Sequence, residues 1–191
     1  MILKRDLILN RNSYLKEIDF SLKNSLFSIS NFIKLSCSCL DIEIERLKKT
    51  SFFISFDEHF LDFDLKYNFV QTIKENPQGL IVLSFTPASF NQLTDELIRK
   101  FNLEENSFNM RISAISEFIN LFSASLFLNL DSNDKLNLSE IKQINNLKRF
   151  IFNEIILNNL SINNNISFLK TKIVFPEFLP EEIDLSIIMN E

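Results

Sequence analysis

The sequence predicts an α+β fold in which long helices pack on a mostly antiparallel sheet. The chain has 191 residues, of which 46% are hydrophobic and 24% charged, the composition of a globular protein with a sizeable core. Apolar residues recur with a helical period in some segments and alternate with period two in others. These segments follow in the order helix, strands, hairpin, helices, strands, without regular βαβ alternation. We therefore expect a single domain over residues 1–191.

The first elements are a long helix and one or two strands. Apolar residues recur at helical spacing from Ser13 to Leu35, with Asn12 or Ser13 as the cap. The segment Cys39 to Glu45 alternates apolar and polar residues, which is typical of a half-buried strand. A further strand is expected over Ser51 to Ser55.

A β-hairpin is predicted next. The strands Leu65 to Ile73 and Leu80 to Phe85 are joined by the short turn Glu75 to Gly79. Gly79 is the only glycine in the chain. We therefore expect it where the backbone needs a positive φ or a close approach to another segment.

Two helices should follow the hairpin. Thr86 is a suitable cap for a helix that begins at Pro87 and ends near Phe101. After the polar break at residues 104–107, Ser107 is a suitable cap for a helix from Phe108 to Leu130.

The last third of the chain is predicted as a loop, a helix and two strands. The loop covers Asp131 to Asn137, and the helix runs from Ser139 to about Leu160. The strands Ile166 to Phe175 and Ile183 to Met189 are joined by Pro176 to Glu182.

The helix from Phe108 carries a narrow polar stripe. Ser113, Glu117, Asn120 and Ala124 are spaced so that all four lie on one helical face. Much of the remaining circumference is apolar and should be buried, at Ile112, Ile115, Ile119, Phe122 and Leu126. An acid and an amide three residues apart can act together, one binding a cationic partner and the other orienting a water molecule.

Composition excludes several classes of function. The net charge of −5 argues against nucleic-acid binding, and charges interrupt every apolar run of the first twenty residues, so we expect neither a signal peptide nor a membrane span. A cytoplasmic location follows. Cys37, Cys39 and His59 make a poor metal site, and the thiols are expected to be small buried side chains. A phosphate-binding glycine loop and the GxSxG, HExxH and CxxC motifs are absent.

Three blocks of the sequence resemble the CheC/CheX family of chemotaxis phosphatases, and CheX more than CheC. Gly79 to Phe101, GLIVLSFTPASFNQLTDELIRKF, is similar to the family's glycine, strand and helix. Ser113 to Leu126, SAISEFINLFSASL, fits its D/S-x-x-x-E-x-x-N pattern. Lys172 to Glu191, KIVFPEFLPEEIDLSIIMNE, is similar to its closing strands.

The resemblance implies an activity and its site. The expected reaction is hydrolysis of the aspartyl phosphate on a phosphorylated CheY-type response regulator in chemotaxis. Asn120 and Glu117 would be the catalytic residues, and Ser113, Glu117 and Ala124 would contact the partner. The chain would need no cofactor of its own, because the magnesium ion would belong to the receiver domain of the partner. The resemblance also implies a possible homodimer.

Two departures from the family pattern leave alternatives open. Ala124 replaces a glycine, and the segment at about 131–160 is divergent or carries an insertion, with a loop and helix where the family has a strand. The chain could instead be a non-catalytic module that binds a receiver domain, related to the flagellar-switch proteins of the same fold. A further hypothesis, compatible with either, is assembly through sheet edges, using the apolar terminal strand Ile183 to Met189.

Overall fold

A computed structural model describes residues 20–60, 62–74, 78–103, 107–128, 137–157, 165–179 and 181–190. Within these residues, six strands form one antiparallel sheet: β1 (Ser38–Lys48), β2 (Tyr67–Ile73), β3 (Gly79–Phe85), β4 (Lys142–Ile144), β5 (Asn165–Val174) and β6 (Ile183–Asn190). Their order across the sheet is β1-β5-β6-β3-β2-β4.

The helices in the described part of the chain differ greatly in length. They are α1 (residues 20–33), α2 (Lys49–Ile54), α3 (Phe56–His59), α4 (Pro87–Lys100), α5 (Phe108–Leu128) and α6 (Leu147–Phe152). A 3₁₀ turn at Phe63–Leu65 precedes β2, and a π-helical turn at Asn153–Leu157 continues α6. The predicted α+β fold with a mostly antiparallel sheet is confirmed.

The sheet is covered on both faces. The long helices α1, α4 and α5 pack on one face, and their apolar residues form the larger core cluster with side chains of β2, β3, β5 and β6. The short helices α2, α3 and α6 cover part of the other face, where phenylalanine and isoleucine supply most of a second core cluster. Burial of apolar surface from both sides is the main stabilising contribution to this arrangement.

Gly79 lies at a crowded point of the sheet, opposite Met189 of β6. A Cβ atom there would lie 2.5 Å from the carbonyl oxygen of Ile188 and 2.6 Å from Met189 Sδ. The φ angle of Gly79 is not positive. Close approach of the backbone, one of the two reasons predicted for this glycine, is therefore the one observed.

Six predicted elements are confirmed in position. The strand predicted from Cys39 lies within β1, the hairpin strands are β2 and β3, the helix capped by Thr86 is α4, and the closing strands are β5 and β6. The Thr86 side chain accepts a hydrogen bond from the Ser89 amide at 3.1 Å, as expected of a cap. The turn residues 75–77 lie outside the described residues.

The first helix is confirmed over residues 20–33, whereas Ser13 and the other predicted residues before Phe20 lie outside the described part. Four of its predicted apolar positions are buried: Leu22, Leu26, Ile29 and Ile33. Phe20 and Phe32 are instead exposed, at 64% and 54%. The buried stripe of this helix is thus narrower than its apolar pattern suggests.

The strand predicted over Ser51 to Ser55 is wrong, because this segment belongs largely to α2. Phe52, Phe56 and Phe60 recur every fourth residue and are all buried. This helical spacing brings three rings to one side, where they pack on the sheet, and it outweighs the weak strand signal of five residues.

The helix predicted from Ser139 to Leu160 is also wrong in its first part. Residues 137–144 run antiparallel to β2, and their last three residues form β4. The helix begins only at Leu147, where the side chain of Asn146 accepts a hydrogen bond from the Arg149 amide. Pairing with the free edge of β2 satisfies backbone groups that a longer helix would leave unpaired. A strand is therefore present in the segment where we expected none.

The terminal strand β6 lies inside the sheet, between β5 and β3. Both of its edges are hydrogen-bonded, so the hypothesis that Ile183 to Met189 offers an edge for assembly is wrong. Its apolar character follows from burial on both faces of the sheet.

Candidate functional site

The polar stripe predicted on α5 is a solvent-exposed face in the structure. Ser113, Glu117, Asn120 and Ala124 are all exposed. The residues on the other sides of the helix pack into the core, with Ile115, Ile119, Phe122 and Leu126 buried and Ile112 half-buried. Since the helix is anchored along its apolar sides, the stripe is presented outward on a well-packed element.

The amino-terminal end of α5 is connected to both its own cap and the neighbouring helix. The amide of Met110 donates to Ser107 Oγ at 3.3 Å, so Ser107 acts as the predicted cap. Arg111 donates to Thr94 Oγ1 at 2.8 Å and to the backbone oxygen of Asn91 at 3.1 Å, and it forms an ion pair with Asp95. These contacts hold α5 against α4 two residues before the stripe begins at Ser113.

Glu117 lies on the exposed face, one turn before Asn120. It has no ion-pair partner among the residues that the structure describes. An exposed carboxylate of this kind can accept hydrogen bonds from a lysine or arginine of another molecule.

Asn120 contacts a buried side chain from the sheet below the helix. Gln71 of β2 is 2% exposed, and its Nε2 donates to Asn120 Oδ1 at 3.1 Å and to the backbone oxygen of Ser139 at 3.0 Å. Asn120 therefore combines an exposed position with an anchor inside the protein. This hydrogen bond joins the exposed face of α5 to the interior of the protein.

Ser113 and Ala124 border the stripe at its two ends. The hydroxyl of Ser113 donates to the backbone oxygen of Asn109, one turn earlier in the same helix, at 3.1 Å. Ala124 presents only a methyl group. Both residues are small, so a partner surface can approach the backbone of α5 closely on either side of Glu117 and Asn120.

Gln71 is the site residue that the sequence analysis missed, although a signal for it exists. Phe69, Gln71 and Ile73 share one face of β2, and both apolar neighbours belong to the core. A polar residue at a core-facing position of a strand requires a hydrogen-bond partner. The alternation thus marks Gln71 as unusual, but the partner is visible only once α5 is placed over β2.

The single histidine lies far from the stripe, on the opposite face of the sheet. His59 stacks on Phe52, contacts the edge of Phe168, and shares a hydrogen bond of 2.9 Å with Ser55 Oγ. Burial lowers the pKa of His59 below its usual value. Together with Lys170 and Asp184 it lines a cleft of about 250 Å³.

The described residues contain no group of three or more His, Cys, Asp and Glu side chains with the spacing of a metal site. Burial raises the pKa of the Cys37 thiol to about 11, and its Sγ lies 3.1 Å from the backbone oxygen of Leu26, to which it donates. A thiol in this state is a poor ligand and a poor nucleophile. Among the described residues, none of the helices has both the length and the apolar character needed to cross a bilayer.

Comparison with known proteins finds no matching family model and no matching curated protein. Several solved structures do match. FliY from Thermotoga maritima superimposes with a TM-score of 0.58 at 12% identity, over 92% of this chain and 90% of that chain. The FliM middle domain from H. pylori superimposes with a TM-score of 0.57 at 12% identity, over 94% of this chain and 90% of that chain. CheX from Desulfovibrio desulfuricans superimposes with a TM-score of 0.50 at 10% identity, over 91% of this chain and 97% of that chain.

These matches cover nearly the whole length of both chains in each pair, but their low identity establishes the fold alone. The resemblance seen in the sequence is confirmed at that level: the chain has an α+β fold that is shared by the chemotaxis protein CheX, by FliY and by the middle domain of FliM.

Proposed function

We propose that this protein is a phosphatase that hydrolyses the aspartyl phosphate of a CheY-type response regulator in chemotaxis signalling. The observation that carries the proposal is the joint exposure of Glu117 and Asn120, one turn apart on the outer face of α5. This is the acid and amide pair of the family pattern, and it lies on a fold that CheX shares. The stripe is narrow and bordered by small residues, which suits insertion beside a phosphorylated side chain.

Asn120 would provide the chemistry. In this mechanism its amide enters the site of the phosphorylated receiver and orients a water molecule for in-line attack on phosphorus. The magnesium ion and the phosphoryl group both belong to the receiver, so the phosphatase needs no metal or cofactor of its own. Positioning of this kind requires hydrogen bonding and no shifted pKa, which agrees with an uncharged amide on a rigid helix.

Glu117 would orient the partner. Its exposed carboxylate would pair with a lysine of the receiver, and the pair would strengthen once docking excludes water from the surface of α5. Ser113 and Ala124 would contact the receiver on either side without adding charge. Ala124 is larger by one methyl group than the glycine of the family pattern, and it still allows a close approach.

A non-catalytic module that binds a receiver or belongs to the flagellar switch is the second candidate. The fold is compatible with it, because FliY and the middle domain of FliM share this fold with CheX. The homodimer stays a prediction, and it would have to use a surface other than β6, which is paired on both edges.

The two candidates differ in what Asn120 does. The test compares Asn120→Ala with Asn109→Ala, which removes another exposed asparagine amide from the same side of α5, three turns before Asn120. Each variant is assayed for the decay of a phosphorylated CheY-type receiver with magnesium present, and for binding to that receiver. A phosphatase loses turnover and keeps binding only in Asn120→Ala. Binding by the wild-type protein without any faster decay would contradict the phosphatase and leave the binding module.

A further inference from the structure

Gln71 is buried at a position where an amide is costly unless it is hydrogen-bonded. It lies on the core side of β2, beneath α5, and is 2% exposed. Its Nε2 contacts two oxygens, Ser139 O and Asn120 Oδ1. Its Oε1 is buried and accepts no hydrogen bond from the described residues. The Nε2 contacts are therefore what offsets the cost of burying this side chain.

The contact with Ser139 decides which way both amides point. A backbone carbonyl can only accept a hydrogen bond, so the Gln71 atom 3.0 Å from Ser139 O must be the NH₂ group. The second proton of that group is directed to Asn120 at 3.1 Å, and the atom that receives it must be an acceptor. Asn120 therefore turns its Oδ1 toward the core, which leaves its own NH₂ group for the exposed side.

The acceptor at Ser139 is itself fixed to the sheet. The amide of Ser139 donates to Thr72 O at 2.9 Å, and the amide of Thr72 donates to Ser139 Oγ at 2.8 Å. Two hydrogen bonds thus hold the carbonyl that orients Gln71. A continuous chain of hydrogen bonds runs from the edge of the sheet through Gln71 to the exposed amide of Asn120.

We propose that Gln71 is a positioning residue that holds the Asn120 amide with its NH₂ group directed outward. The catalytic part of this inference rests on the proposed function. If Asn120 enters the receiver site, Gln71 determines which end of the Asn120 amide faces the phosphoryl group. An outward NH₂ group donates to a phosphoryl oxygen or to the oxygen of the attacking water, whose second lone pair remains free for phosphorus. A reversed amide would present a carbonyl oxygen to the phosphoryl oxygens, which is repulsive.

The test uses Gln71→Leu, which replaces the amide by an apolar side chain of similar size and removes both hydrogen bonds. Asn68→Leu is the matched control, since it removes another buried, hydrogen-bonded amide from β2, on the opposite face of the sheet. In the decay assay we expect Gln71→Leu to lower turnover about 10- to 100-fold at an unchanged half-saturating receiver concentration. Added to Asn120→Ala, it should cause no further loss, because Gln71 acts through Asn120.

A second measurement reads the position of Asn120 without any activity. The mobilities of the side-chain NH₂ groups of Asn120 and Asn109 are compared by ¹⁵N relaxation. Each NH₂ signal is assigned by its disappearance from the spectrum of the corresponding variant, Asn120→Ala or Asn109→Ala. We expect Asn120 to be the more rigid in the wild-type protein and to match Asn109 in Gln71→Leu. The wild-type comparison remains decisive if that variant fails to fold.

The outcomes separate the two proposals. If the wild-type protein does not accelerate decay of the phosphorylated receiver, the proposed function fails. The relaxation data alone then decide whether Gln71 positions the Asn120 amide. Equal mobility of the Asn120 and Asn109 amides in the wild-type protein overturns the positioning role. Full turnover by Gln71→Leu in an active enzyme also overturns it, even if Asn120 is rigid.

Discussion

Arg111 of α5 and Asp95 of α4 form an ion pair in which the arginine side chain is 17% exposed and the aspartate side chain 54% exposed. The same guanidinium group also donates to Thr94 Oγ1 and to the backbone oxygen of Asn91. One half-buried guanidinium group thus contacts three residues within about one turn of α4. This arrangement fixes the helix that carries Glu117 and Asn120 close to where the stripe starts.

Replacing Arg111 by Met should destabilise the protein, because the polar groups of α4 lose a shared donor that is partly shielded from water. We expect the free energy of unfolding to fall by about 1–2 kcal/mol, measured by urea titration. Arg99→Met is the control, since Arg99 pairs with Glu96 on the surface and its side chain is 72% exposed. Equal stability of the wild-type protein and Arg111→Met would show that the contacts between α4 and α5 do not depend on this arginine.

Gly79→Ala should destabilise the sheet through a steric clash rather than through backbone strain. The new Cβ would meet the carbonyl oxygen of Ile188 and the sulfur of Met189 at distances that real Cβ atoms do not show. We expect a loss of about 1–3 kcal/mol in unfolding free energy. The double variant Gly79→Ala with Met189→Ala removes the contact with the sulfur but keeps the contact with the carbonyl oxygen. Its unfolding free energy should therefore still be lower than that of the single variant Met189→Ala. Disappearance of this difference would mean that only the flexible side chain obstructs the site.

The stability of the protein should fall as the pH is lowered through the titration range of His59. Burial lowers the pKa of this histidine in the folded state, so the unfolded chain binds the proton more readily. At pH values well above the usual 6.5 this histidine is neutral in both states and contributes no difference. Below it, protonation of the unfolded state draws the equilibrium away from the fold. The melting temperature should therefore fall between pH 7.5 and pH 5.5, and this fall should be larger for the wild-type protein than for His59→Gln. An equal difference in both proteins would contradict this interpretation.

Local sequence patterns account well for several elements of the fold. The alternation of Cys39 to Glu45 predicts β1, and the Thr86 and Pro87 pair predicts the start of α4, because both signals depend on neighbouring residues alone. The stripe of α5 is predicted for the same reason. Its exposure depends on helical spacing, and that spacing is present in the sequence.

The parts that were missed depend on contacts between distant segments. Residues 137–144 are extended because they pair with β2, and nothing in their own sequence specifies that partner. The Gln71 and Asn120 contact joins residues 49 positions apart. This contact exists only because α5 packs across β2, so the sequence around either residue alone does not predict it. Ser51 to Ser55 shows a second cause, since five residues are too few to separate the helical period from the strand period.

Reversal of the Glu117 charge tests the docking role assigned to the stripe. Glu117→Lys should raise the receiver concentration needed for half-maximal decay by about 10-fold or more, because the pair with a receiver lysine becomes a repulsion. Glu58→Lys, which makes the same change at an exposed position of α3, should leave that concentration nearly unaltered. The difference between the two variants should shrink at high salt if the effect is electrostatic. Identical titrations for both variants would remove Glu117 from the interface.

Catalytic turnover is the central claim, and it is tested most directly by adding the wild-type protein in substoichiometric amounts to a phosphorylated CheY-type receiver with magnesium present. Release of inorganic phosphate is followed over time. We predict that one molecule clears many phosphorylated receivers and that the rate grows in proportion to the amount of protein added. Decay at the receiver's own rate, at every ratio and with several receivers, would contradict the phosphatase.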